Sequence, residues 1–333
     1  MGAGVEDKTT PGLTDDQSQP GPGLSVVIPC YNSERTLDEL VRQLSEVLPR
    51  TGDDYELILV DDGSQDRTWL RITELAARYP WVRGLELMRN FGQHNATLCG
   101  ARLARFDVTV TLDDDLQNPP SEIPRLVEKL SEGYEVVYGV PVRKSHSLFR
   151  NLASWLTRYA LVFASGQRTV RTVSAFRAYR TDLRRAFAEY RSPQVLFDVL
   201  LAWGTSRFAS VTVSHEARSE GRSNYGFFRL CSALLLLWTG YTTAPLRLAT
   251  WLGFLFVLFG FGILAYVFGV YHLQGSLPGF PFLASTIAIF GGVQLFALGI
   301  IGEYLARLFN RSLDRPTYAV KTRTALREHG PPR

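Results

Sequence analysis

Two stretches of this chain run long enough without a charged residue to cross a lipid bilayer, and nothing else constrains its fold as strongly. Leu248 to Tyr271 (LATWLGFLFVLFGFGILAYVFGVY) makes roughly 36 Å of helix, against a hydrocarbon core of roughly 30 Å. Pro281 to Gly302 (PFLASTIAIFGGVQLFALGIIG) is also long enough. Both are apolar all round, and at this length membrane helices are favoured over two buried helices of a large soluble domain. Arg229 and Arg247 precede the first run, and Arg307, Arg311, Arg315 and Lys321 follow the second. The connection His272 to Phe280 has neither Lys nor Arg. The cation bias predicts a hairpin in a cell (inner or plasma) membrane with both chain ends cytoplasmic. FFRLCSALLLLWTGYTTAPL, Phe227 to Leu246, is apolar but shorter and ends beside Pro245; an interfacial helix is expected there, with a third span as the alternative.

Averages conceal this division. The 333 residues carry 36 Lys+Arg against 32 Asp+Glu and are 46% hydrophobic, with a mean hydropathy of -0.01. A net charge of +4 is too small to imply a nucleic-acid partner, and none is expected. Cys30, Cys99 and Cys231 are far apart, with no zinc spacing, which favours a reducing compartment. Residues 1–23 are polar and Gly/Pro-rich, with no signal-peptide pattern, and read as a disordered tail.

Before the hairpin, short β-branched runs alternate with helical patterns: Leu24 to Pro29, Tyr55 to Val60, Val82 to Leu87, Val108 to Leu112 and Tyr134 to Gly139. This predicts an α/β domain with a mostly parallel sheet, in which ligands bind beyond the carboxyl ends of the strands. After the first run, Asn32 or Ser33 can cap a helix. After the second, VDDGSQDRTW offers carboxylates for a nucleobase or ribose, or an Asx turn closed through Ser64 or Asp66. After the fourth come three aspartates in TLDDDLQNPPSEIP. Their mutual repulsion is relieved by Mg²⁺ or Mn²⁺ bridging to a diphosphate; a solvated acidic turn is the weaker reading. There is no GxxxxGK[ST] and no GxGxxG.

VVIPCYN, LVDDGSQDRT, RNFGQHNATLCG and LDDDLQNPPSEIP, in this order, resemble the family 2 glycosyltransferases of GT-A fold. HEARSEGRSNYGFFRL, TTAPLR and LGIIGEYLARLF resemble its polyprenyl-phosphate branch, which includes dolichyl-phosphate mannose synthases and the undecaprenyl-phosphate aminoarabinose-type transferases. The resemblance covers Leu24 to Val320. It implies a GT-A (Rossmann-like) catalytic domain over 24–226, an interfacial helix over 227–246, a hairpin over 247–305 and a cytoplasmic tail over 306–333. It also implies an inverting, metal-dependent transfer of sugar from a nucleotide donor, UDP favoured, to polyprenyl phosphate. The expected nucleotide contacts are Pro29, Tyr31, Glu34, Asp61, Asp62, Arg89 and Gly92. Asp115 and Asp113 are the expected metal ligands, Gln117 follows them towards the donor, and Arg177 is the expected catalytic cation. Arg143, Arg218, Ser223 and Tyr225 are expected to receive the acceptor phosphate. The lipid bilayer is the expected surroundings, and the resemblance leaves room for a homo-oligomer.

The sequence departs from the family at Val173-Ser174-Ala175-Phe176-Arg177, where many relatives carry an acid at the position of Ala175. A hydroxyl acceptor would need that acid as a base. A phosphate acceptor, with a second pKa of about 6, arrives already ionised. A processive polysaccharide synthase would carry Q-x-x-R-W and more spans, neither of which is present. A silent membrane protein that binds nucleotide sugar or scaffolds a flippase is the competing non-enzyme reading.

Overall fold

A computed structural model describes residues 20–141, 173–193, 195–214, 244–274 and 279–324. Five strands coincide with the predicted runs: β1 (Gly21–Cys30), β2 (Tyr55–Asp61), β3 (Val82–Leu87), β4 (Phe106–Thr111) and β5 (Val136–Pro141). Three more were not foreseen: β6 (Arg177–Arg180), β7 (Phe208–Val213) and β8 (Val320–Arg323). All eight form one sheet in the order β7-β5-β6-β4-β1-β2-β3-β8. The pairs β1/β2, β1/β4, β2/β3 and β5/β7 are parallel. β6 runs antiparallel between β4 and β5, and β8 runs antiparallel along β3.

Helices cover both faces, which is why the strands are apolar on both sides. On one face, Leu24, Val26 and Ile28 of β1 pack with Leu37, Leu40, Val41 and Leu44 of α1 (Leu37–Val47), beside α2 (Thr68–Arg78) and α4 (Ile123–Ser131). On the other, Val27, Ile58 and Val60 meet Ala96 and Cys99 of α3 (Gln93–Leu103). Gly100 sets that approach: a Cβ there would stand 2.4 Å from Val27 Cγ1, a stiff β-branched atom with little room to yield. A third cluster gathers around α5 (Phe197–Gly204).

The predicted spans fall inside two long helices, α6 (Ala244–Gln274) and α7 (Phe280–Ser312). Their apolar stretches, Pro245–Leu273 and Ile289–Ser312, are unburied by the rest of the protein, unlike the core helices of a soluble domain. The two helices touch, with Phe256 and Phe290 edge to face at 5.7 Å.

Two boundaries change. Ala244 to Leu246 open α6 rather than close an interfacial helix; residues 227–243 of that prediction lie outside the described residues. The expected tail 306–333 is not separate from the domain, because α7 runs on to Ser312 and β8 returns to the sheet.

Candidate active site

Strands β1, β2 and β3 progress to one side of the sheet and β4 lies on the other side of β1, so their carboxyl ends open a crevice at the switch of direction. A cavity of about 330 Å³ occupies it. Pro29, Cys30 and Tyr31 line it from β1, Asp62 from β2, Asn90, Gly92 and Gln93 from the β3–α3 loop, and Asp113, Asp114 and Asp115 from β4.

Of the expected nucleotide and metal residues, Pro29, Tyr31, Asp62, Gly92, Asp113 and Asp115 come together here. Tyr31 stands 45% exposed at the rim. Asp62 is buried and accepts from the Phe91 and Gly92 N–H groups, at 2.7 and 2.8 Å, which fixes the start of α3. Burial pushes the Asp62 carboxyl above its ordinary pKa, with those two donors opposing the shift.

Asp61, Glu34, Arg89 and Gln117 do not line the cavity. Asp61 accepts from the Ser64 N–H at 3.0 Å, so the neighbouring aspartates divide the two readings between them: Asp61 closes the turn and Asp62 faces the cavity. Asp66 also acts locally, accepting from the Thr68 N–H at 3.0 Å where α2 begins. Gly63, at φ +68°, lets this turn approach the β3–α3 loop; a Cβ would lie 2.5 Å from the Arg89 carbonyl carbon. Glu34 faces the β2–α2 loop, its N–H donating to Asp66 at 3.2 Å. The Arg89 guanidinium lies over the Phe91 ring, 4.3 Å from its centroid. Neither Asn32 nor Ser33 caps α1, whose N-cap is Thr36. Asn32, at φ +55°, instead accepts from the Gln65 N–H at 2.9 Å, joining the first two loops.

The aspartate run is held from both sides. Asp114 accepts from the Tyr31 N–H at 3.2 Å and from the Ser33 hydroxyl, while Asp113 accepts from the Gln93 amide. Asp115 accepts from the Gln117 N–H at 3.1 Å, across Leu116 at φ +59°. A left-handed leucine is strained, and such strain concentrates at functional loops. Gln93 and Asn90 were missed in the sequence, although their place just after β3 satisfies the strand-end rule.

Arg177 does not reach the cavity. It is 3% exposed, its Nε donates to Thr111 Oγ1 at 2.9 Å, and its guanidinium pairs with Asp198, which also accepts from the Tyr138 hydroxyl at 3.0 Å. Expected as the catalytic cation, it is a buried ion-pair partner, because the first turn of α5 presents Asp198 to it. The Ala175 carbonyl accepts from Thr111 at 2.8 Å, which places the missing acid's position beside the aspartate run. Burial holds the His94 imidazole below its ordinary pKa and therefore neutral. Arg143, Arg218, Ser223 and Tyr225 lie outside the described residues.

Residues 25–189 match the family described as "Glycosyl transferase family 2", and residues 244–308 match "GtrB C-terminal hairpin". The chain is 37% identical over 303 residues to an undecaprenyl-phosphate 4-deoxy-4-formamido-L-arabinose transferase of Shewanella sediminis, covering 90% of this chain and 91% of that protein. A Klebsiella pneumoniae protein of the same name is 36% identical over 302 residues, 90% of this chain and 92% of its own. A solved glucosyl-3-phosphoglycerate synthase from Mycobacterium tuberculosis, in complex with Mn²⁺ and uridine-diphosphate-glucose, is 22% identical with a TM-score of 0.49, over 65% of this chain and 78% of that one. That likeness is too distant to bear on the chemistry. The two bacterial transferases span nearly the whole chain, hairpin included, and the chain belongs to the family 2 glycosyltransferases that carry this C-terminal hairpin.

Proposed function

We propose that this protein transfers a sugar from a nucleotide donor, UDP favoured, to polyprenyl phosphate at the membrane surface, inverting the anomeric centre. The names of its relatives support the acceptor class. The observation that carries the reading is the short tie between cavity and membrane helix. Thr317, five residues past the end of α7, is bonded to Asn95 on the first turn of α3, whose neighbours Gly92 and Gln93 line the cavity. Five residues reach at most about 18 Å. An acceptor phosphate confined to the headgroup plane therefore meets a donor site held close to it.

The topology agrees. β8 shares one sheet with β1 to β7, which supports an even number of bilayer crossings between Val213 and Val320. Two crossings satisfy this; three would leave β8 on the wrong side. Arg247, Arg311, Arg315 and Lys321 flank the hairpin on the side of the domain, which supports a cytoplasmic active site.

The cavity suits a hard divalent cation. Its acidic side chains are the carboxylates of Asp62, Asp113, Asp114 and Asp115, and the Cys30 thiol is held protonated by burial, although the described residues hold no preformed cluster of three or more His, Cys, Asp or Glu ligands. Mg²⁺ and Mn²⁺ fit such a site, held by one or two carboxylates with substrate phosphates completing the set. Asp113 and Asp115 would hold the ion, which when bound neutralises charge on the departing diphosphate. Pro29 and Tyr31 wall the donor, and Asp62 fixes the Phe91–Gly92 turn against it. The acceptor phosphate brings its own nucleophilic oxygen, so the methyl group of Ala175 suffices. With Arg177 engaged by Asp198, the roles of receiving the phosphate fall to Arg143 and Arg218, with Ser223 and Tyr225, on the family resemblance of their segments.

Membranes containing the protein, given labelled nucleotide sugars, polyprenyl phosphate and Mg²⁺ or Mn²⁺, are expected to place label in the organic phase. No lipid label from any donor sinks the enzyme reading and favours the non-catalytic one. Acidity provides a second check. The charged form of Asp62 is the one that clamps the turn, and its raised pKa means that a proton arrives at higher pH than on an ordinary aspartate. Nucleotide affinity is therefore expected to fall on acidification before pH reaches about 4. That limb should vanish in Asp62→Asn, read from dissociation constants across a pH series.

A further inference from the structure

Asn95 joins three separate parts of the chain through one amide group. It lies on the first turn of α3, is 5% exposed, and donates from Nδ2 to the Pro193 carbonyl at 3.0 Å and the Thr317 carbonyl at 2.6 Å. These bonds use both hydrogens of the amide. Pro193 precedes α5, and Thr317 belongs to the chain returning from the membrane helix.

The returning segment is held along its whole length. Asp314, at φ +45°, turns it away from α7. Thr317 is buried, and the Tyr318 ring lies 5.7 Å from the Arg102 guanidinium of α3. The Ala319 carbonyl accepts from the Met88 N–H at 2.9 Å, Lys321 pairs with Glu86 at 2.6 Å, and the Gly84 N–H donates to Thr324 Oγ1 at 2.9 Å. On the other side of Asn95 the contacts lead into the cavity. Its backbone N–H donates to the Gly92 carbonyl at 2.9 Å, the Gly92 N–H is held by Asp62, and Gln93 donates to Asp113.

We propose that Asn95 is a positioning residue: it locks the segment returning from the membrane, Thr317 to Thr324, onto the first turn of α3, so that the shape of the donor cavity depends on that segment being docked. A single element then fixes both the distance of the site from the bilayer and the placement of Gly92 and Gln93. Without the Asn95 amide, the buried Thr317 carbonyl and the part-buried Pro193 carbonyl lose their donor and the first turn of α3 loses its outer anchor.

The test uses the full chain in lipid nanodiscs and reads amide exchange without nucleotide. In Asn95→Ala, the amides of Val320 to Arg323 and those of Phe91 and Gly92 are expected to exchange about tenfold faster together. The kinetic arm rests on the function proposed above: donor KM rises about tenfold while kcat stays within about threefold. If Asn95→Ala does not fold, the double variant Lys321→Ala/Thr324→Val loosens the segment without touching α3 and is expected to give the same pattern. Faster exchange in β8 with Phe91 and Gly92 unchanged overturns the proposal. So does a fall in kcat at constant donor KM, which a purely structural role would produce. If the wild type moves no sugar at all, the functional reading fails, and the exchange at Phe91 and Gly92 still decides the positioning role.

Discussion

Replacing Asp115 with alanine is expected to lower lipid-linked label about a hundred- to a thousandfold, the range seen when a preorganised electrostatic contact to a reacting group is removed. Asp115 lines the cavity, and the strained Leu116 turn holds its carboxylate in place through the Gln117 N–H. Asparagine at 115 keeps the size and loses the charge, so it should fall nearly as far as alanine. Asp114→Asn should fall less, because Asp114 already serves the Tyr31 N–H and the Ser33 hydroxyl and acts by holding the β1 loop. Transfer rates at saturating donor, with Mg²⁺ and Mn²⁺ each titrated, separate the cases. Wild-type activity in Asp115→Ala would remove this residue from the chemistry.

The second large effect is on stability. Asp198→Ala leaves the Arg177 guanidinium buried at 3% exposure without its counter-ion and removes the acceptor of the Tyr138 hydroxyl. Breaking a buried pair in this way costs about 3–5 kcal/mol. For a domain of this size that is a fall in melting midpoint of roughly 6–20 °C. The double variant Arg177→Met/Asp198→Leu removes both charges and should recover most of the loss. A structural pair gives that recovery with transfer activity retained in the folded fraction. Normal melting of Asp198→Ala with activity abolished would return Arg177 to the catalytic machinery.

The five main strands were legible because each centres on apolar residues, most of them β-branched outside β3, that are buried between helices on the two faces. β6 (RAYR) and β8 (VKTR) escaped notice because four residues with two cations each carry no hydrophobic period. Their pairing comes from neighbours distant in sequence: β6 between β4 and β5, β8 along β3. Within the site, the strand-end rule located the cavity, but only geometry assigned the individual carboxylates. Asp61 and Asp62 are adjacent in sequence, and the alternation of side chains along the chain sends one into a turn and the other to the crevice.

The sequence alone determined the alternation of strands and helices, the acids at strand ends and the two charge-free spans, because each rests on local periodicity or on length against bilayer thickness. Tertiary structure decided what depends on distant partners. Arg177 is paired inward with Asp198, and the supposed tail returns as β8 and docks on α3 through Asn95. Buried charges and buried carbonyls must find partners wherever the fold brings them, and no spacing along the chain records which partners those will be.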